Sequence, residues 1–180
     1  KRALLVPLIA LLLATGCITR SVKQQVFEQD LTQVVLRSQK QWRTTLPKGF
    51  DQPLSISSAR MAHILSRIDI RTGPSDAERM PAIPLDLLYG IAEGMSKAFS
   101  LAGPDQEIVV QAIERSKHWG LFDRRNLTSL VAFVRDNLIY IYVVRSNWEI
   151  PNTLKTDLPE PYIDEQVMPA EAGVVDRAVS

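Results

Sequence analysis

Apolar and polar positions alternate with two different periods along this chain, and the changes of period mark its expected elements. Between Phe27 and Trp42 the apolar residues Phe27, Leu31, Val34, Val35 and Trp42 fall at helical spacing, although the β-branched pair Val34-Val35 also permits a strand ending near Arg37. The spacing favours a helix over 27–42. Leu46-Pro47-Lys48-Gly49-Phe50 reads as a turn, and Pro53 marks a second irregular stretch. Met61, Ile64 and Leu65 keep an i, i+3, i+4 pattern behind Ser57-Ser58, which supply an N-cap for a short helix. Arg67-Ile68-Asp69-Ile70-Arg71 then alternates with period two, as a half-buried strand does, and residues 72–81 read as a surface loop.

The longest expected element starts at Pro84 and runs to Ala102, with Gly103-Pro104 as its stop. Leu87, Leu88, Ile91, Met95, Ala98 and Phe99 line one face of it, and Glu93 and Lys97 form an i, i+4 pair away from that face. Residues 107–114 follow as a strand. Residues 130–144 hold two apolar runs around Asp136-Asn137, residue types that tolerate the left-handed backbone of a tight hairpin turn. With those two as the turn, Phe133 faces Tyr140 and Val131 faces Tyr142 on one side, while Val134 faces Ile139 and Ala132 faces Ile141 on the other. Both sides are apolar, so both need cover: the long helix on one, and further helix, loop or a partner on the other. The expected fold is α+β, a small, mainly antiparallel sheet with a C-terminal β-hairpin, packed against a long amphipathic helix.

Ahead of this domain stand Lys1-Arg2, an apolar run from Ala3 to Leu13, and Ala14-Thr15-Gly16-Cys17. A cationic start, a short apolar stretch and small residues before a processing point describe a signal peptide. About eleven apolar residues at ~1.5 Å each fall short of a ~30 Å hydrocarbon core. The segment Ala14-Thr15-Gly16-Cys17 resembles the lipobox of bacterial lipoprotein precursors, with alanine where leucine is most usual; the resemblance covers about a tenth of the chain. It implies cleavage before Cys17 and acylation of that residue. It also implies an outer-membrane destination facing the periplasm, because Ile18 stands where the class places an aspartate for inner-membrane retention. Stable attachment needs more than one acyl chain, which an acylated cysteine of this class carries. The expected organisation is a signal peptide over 1–16, a lipid-anchored tether over 17–26, an α+β domain over 27–148 and an acidic, proline-containing tail over 149–180.

Composition adds little beyond a single domain of ordinary make-up, at 46% hydrophobic and 23% charged residues. Charge adds more. Residues 18–148 carry 17 basic and 13 acidic side chains, whereas residues 149–180 carry Lys155 and Arg177 against seven acids. A mildly basic body beside an acidic tail allows the tail to fold back or to be captured by a partner. The body is too weakly and too diffusely basic for nucleic acid, and an export signal argues against that partner as well.

Candidate chemistry is sparse. His63 and His118 have no metal-ligand spacing, Cys17 is the lone cysteine, and neither a nucleophile elbow nor a phosphate-binding glycine loop is present, so no cofactor is expected. Asp105 and Glu107, two apart before a strand, are the one carboxylate pair that would serve a periplasmic hydrolase. A pocket between the long helix and the hairpin would instead suit a small-molecule or lipid carrier. The segment 115–125 gathers Arg115, Lys117, Arg124, Arg125 and His118 around Trp119 and Phe122 on an expected inter-strand loop. Trp119, Phe122, Arg124 and Arg125 are therefore the expected contacts to head groups, glycan or an acidic partner surface. Gly90, Gly94, Ala98 and Ala102 form a small-residue stripe, where either the protein's own sheet or a second copy of the chain can approach closely. The reading that results is a noncatalytic, lipid-anchored envelope protein that binds another envelope component.

Overall fold

A computed structural model of the chain describes residues 19–71, 79–118, 122–151 and 158–163. Eight strands and two helices follow one another: β1 (Thr19–Gln29), β2 (Thr32–Gln41), β3 (Thr44–Thr45), α1 (Ser58–Leu65), β4 (Asp69–Arg71), β5 (Arg79–Pro81), α2 (Leu85–Leu101), β6 (Glu107–His118), β7 (Phe122–Arg135) and β8 (Leu138–Glu149). Strands outweigh helices, at about half of the structure against a fifth. The main sheet is antiparallel, in the order β1-β2-β6-β7-β8, with β3 added to β2; β4 and β5 form a separate two-stranded ribbon.

This corrects the expected architecture. The sheet is large, and the helices cover part of one face of it. The discrepancy begins at residues 27–42, which form no helix but the end of β1, the turn and the second strand of the β1–β2 hairpin, with Asp30 at φ 51°. A bulge explains why the spacing misleads. Gln25 pairs with Val35 and Phe27 with Val34, so Val26 is an extra residue that breaks the period-two alternation of β1. Residues 19–26, expected as a tether, are strand from Thr19 onward. The expected 115–125 loop is likewise mostly strand, since β6 runs to His118 and β7 starts at Phe122.

Other elements sit where the pattern places them. The Oγ of Ser57 accepts the Arg60 N–H at the start of α1. Asp136 and Asn137 both have positive φ, at 51° and 61°, as a two-residue type I′ turn demands, and the four hairpin pairs expected around them form. Val34, Leu36, Ile108, Val110, Leu130, Ala132 and Val134 bury one face of the sheet under Ile91, Met95, Ala98 and Phe99 of α2. The other face has different cover. Phe50 stacks on Phe133 at 4.4 Å between centroids, with the Asp51 N–H donating to the Val134 carbonyl, and residues 158–161 return to lie over β2 and β6.

The small-residue stripe of α2 faces the chain's own sheet. A methyl group at Gly94 would stand 2.5 Å from Val34 Cγ2 and 2.8 Å from Phe27 Cδ1, whereas one at Gly90 would meet Thr32 Oγ1 at an ordinary 3.6 Å. At Gly94 and Ala98 the stripe is thus packed against the chain's own sheet, while Gly90 is half-buried. Gly94→Ala is expected to lower stability by about 1–3 kcal/mol through overpacking. Gly90→Ala is expected to be neutral or to stabilise by up to ~1 kcal/mol through helix propensity. Urea unfolding of the two variants beside the parent checks the contrast.

Candidate functional site

Three places in the fold bear on function: a buried cation at the centre of the sheet, a strand arm at one end, and a turn at the other. The buried cation is Arg37. It lies on β2, where period two turns Val34 and Leu36 toward α2 and Arg37 toward the opposite face. Its side chain is 1% exposed, so its donors need acceptors. The Nε donates to Glu107 Oε1 at 2.6 Å from the neighbouring strand, in register across the β2–β6 ladder. The Nη1 donates to the Pro161 carbonyl at 2.7 Å and reaches Glu160 Oε1 at 3.4 Å, and the guanidinium lies 4.6 Å from the centroid of the Tyr162 ring.

Glu160 is the hub of the returning tail. Its Oε1 meets Lys23 Nζ at 2.8 Å, and its Oε2 accepts the Tyr162 hydroxyl at 2.9 Å. Gln111 Nε2 donates to the Pro159 carbonyl beside them. Burial against the sheet pushes the Glu160 carboxyl upward. The hydrogen bonds from Lys23 and Tyr162, with the charges of Lys23 and Arg37, outweigh burial and hold it below its ordinary value. The same hydrogen bond to Glu160 raises the Tyr162 phenol.

This arrangement decides the fate of the carboxylate pair. Glu107 is committed to Arg37, and Asp105 Oδ1 accepts the Lys48 backbone N–H at 3.0 Å. The two carboxyls therefore hold different structural contacts instead of converging on one cleft. Asp105 borders an open hollow of about 390 Å³ with Ser38, Lys40 and Thr45, which has both polar and apolar walls and lies away from the β7–β8 hairpin. Between α2 and the β7–β8 hairpin, where the alternative carrier reading requires a pocket, Met95, Phe99, Leu130 and Ala132 are wholly buried. No cluster of three or more His, Cys, Asp or Glu side chains able to hold a metal occurs among the described residues.

The arm is the far end of the β6–β7 hairpin. The ladder between β2 and β6 ends at Thr32–Ala112, and that between β7 and β8 at Asn126–Glu149. The pairing of β6 with β7 continues beyond both, to His118–Phe122. Six residues past Ala112 at ~3.3 Å each carry the arm about 20 Å beyond the last β2–β6 pair. Arg124 and Arg125 sit on it, opposite Ser116 and Arg115. Arg124 Nε lies 4.0 Å from Glu149 Oε1 with both side chains more than half exposed, a surface pair worth little in stability. The Arg125 carbonyl accepts the Ile150 N–H, which ties the end of β8 to the base of the arm. Trp119 and the side chain of Phe122 lie outside the described residues, as does Cys17.

At the opposite end of the sheet Thr19 pairs with Gln41 and Arg20 with Lys40, and the chain turns through Trp42 and Arg43 into β3. Trp42 has φ 59° and is 78% exposed. The sequence pattern places Trp42 on a helix face and so misses it. Arg37, Glu160 and Lys23 also escape it, being far apart in the chain. The one signal for Arg37 is a charge closing the apolar run Val34-Val35-Leu36. No protein-family model, no curated protein and no solved structure matches this chain.

Removing one partner of the buried pair is expected to be costly and removing both to be less so. Arg37→Met should destabilise by about 3–5 kcal/mol, and the double variant Arg37→Met/Glu107→Leu by clearly less, because the single change leaves a buried carboxylate uncompensated. A double-mutant cycle by denaturant unfolding reads this directly. Tail docking is also expected to depend on pH. Because the folded chain lowers the Glu160 pKa, its contribution is complete above the ordinary 4.5 and is lost as pH falls through the lowered folded value. NMR signals of residues 158–163 should report release on acidification, and Glu160→Gln should mimic that release at neutral pH.

Proposed function

We propose that this chain is a lipid-anchored cell-envelope protein, held by acyl chains on Cys17 at the periplasmic face of the outer membrane. There it serves without catalysis as a subunit that binds another envelope component through the β6–β7 arm. The lipobox-like segment Ala14-Thr15-Gly16-Cys17 supports the anchor. The observation that carries the reading is the placement of the two ends. β1 enters the sheet at Thr19, two residues after Cys17, while Arg124 lies at the far end of the same sheet. Thirteen residues of strand separate the level of Gln41 from that of Arg124, about 40 Å along the sheet.

An anchor at one end and a cationic arm at the other suit a protein that reaches from a membrane toward a partner. They favour an acidic protein surface over head groups as the contact of Arg124 and Arg125. The structural use of Glu107 and Asp105 supports a binding role over a hydrolytic one.

Metabolic labelling with a palmitate analogue tests the anchor. Label is expected on the parent chain and absent from Cys17→Ser, which should also leave the membrane fraction; an unlabelled parent chain overturns the reading. For the arm, the Arg124→Glu/Arg125→Glu variant is expected to lose crosslinks to its envelope partner while keeping label and membrane location. Unchanged crosslinks would remove the arm from the binding surface.

A further inference from the structure

The β2–β3 turn carries two unfavourable features on one residue. Trp42 holds its backbone in the left-handed region, which a bulky side chain adopts at a cost that glycine or asparagine would lessen. It also leaves the largest apolar side chain in the chain's alphabet 78% exposed to water. The turn into β3 uses the left-handed backbone, but packing does not hold an indole there. A strained residue that stays put points to a task outside the fold.

The neighbours of Trp42 indicate the task. Arg20 and Lys40 face each other across the β1–β2 ladder, and Arg43 follows Trp42 in the turn, with Arg20 and Arg43 exposed. Lys40 and Thr45 share the open hollow with Gly103, and half-exposed Leu101 ends α2 two residues before that glycine. Acids stand at this end too: Asp105 accepts the Lys48 N–H at the border of the same hollow, and exposed Asp51 and Asp136 lie at the β7–β8 turn on the other side of β6, where Asp51 accepts the Asn137 N–H. An exposed indole with cations on the same turn and on the adjoining strand ends is the composition of a surface that rests at the polar–apolar boundary of an anionic bilayer.

Position selects the bilayer over a protein partner. Thr19 is the ladder partner of Gln41, the residue before Trp42, and Cys17 lies two residues before Thr19, within ~7 Å of chain. Building on the acylated Cys17 proposed above, we infer that the β2–β3 turn is the membrane-seating surface of the domain. Trp42 enters the head-group layer, Arg20, Lys40 and Arg43 meet anionic head groups, and the sheet stands upright with the β6–β7 arm pointing away. A chain that enters a rigid edge strand directly after its anchor has little freedom to tumble, so this seating fixes the height of the arm above the bilayer.

The test uses the full processed chain purified from membranes and reconstituted in phosphatidylglycerol vesicles containing brominated lipids. Mass spectrometry of the Cys17 peptide is read first. An unacylated Cys17 overturns the anchor on which the inference rests. With acylation present, bromine is expected to quench a component of the tryptophan emission that is missing from Trp42→Phe, and the quenching should weaken in phosphatidylcholine vesicles and in Arg20→Glu/Arg43→Glu. A fluorophore on Arg124→Cys should remain unquenched. An acylated chain whose Trp42 component is unquenched, or whose Arg124 fluorophore is quenched, overturns the upright seating while leaving the anchor intact.

Discussion

The constraint on which the rest of this structure depends is the burial of Arg37. A guanidinium that water does not reach requires hydrogen-bond acceptors on several sides, and no single strand supplies them. Glu107 provides one from the next strand, the Pro161 carbonyl another from the far end of the chain, and Tyr162 offers its ring. The ion pair thereby fixes the register of β2 on β6 and calls the tail back over a face that the helices do not cover. Glu160 adds Lys23 to the same cluster, so the edge strand β1 is tied to the tail as well.

The two faces of the sheet are closed by different physics. On one, apolar side chains of β2, β6 and β7 meet α2, and the approach is so close at Gly94 that any side chain would collide with Val34 and Phe27. On the other, aromatic stacking of Phe50 on Phe133 and the Arg37 cluster replace helix packing. A sheet apolar on both sides of its C-terminal hairpin is thus covered twice without a second helical layer. The uncovered remainder is the β6–β7 arm, which extends past both neighbouring strands.

For function, the geometry matters through its ends. In the proposed reading an anchor on Cys17 stands two residues before β1, and the strands reach from that end over about 40 Å to the level of Arg124. Asp105 and Glu107, the residues that most invited a catalytic reading, work instead as acceptors for Lys48 and Arg37. Their spacing in the chain said nothing about partners contributed from elsewhere.

By itself the sequence determined what depends on near neighbours. It determined the Asp136-Asn137 turn and the four pairs that follow from it, the Ser57 cap, the buried face of α2, and the likeness of the segment ending at Cys17 to a lipobox, since backbone preference and local periodicity act within a few residues. It did not determine the β1–β2 hairpin, because one bulged residue, Val26, breaks the alternation that would announce a strand and leaves a spacing that imitates a helix. The tertiary structure alone decided the partners of Arg37, the return of Glu160 over 123 residues of chain, and the exposure of Trp42 beside the start of β1. Such contacts arise where burial forces distant groups to satisfy one another, and one-dimensional spacing carries no record of that requirement.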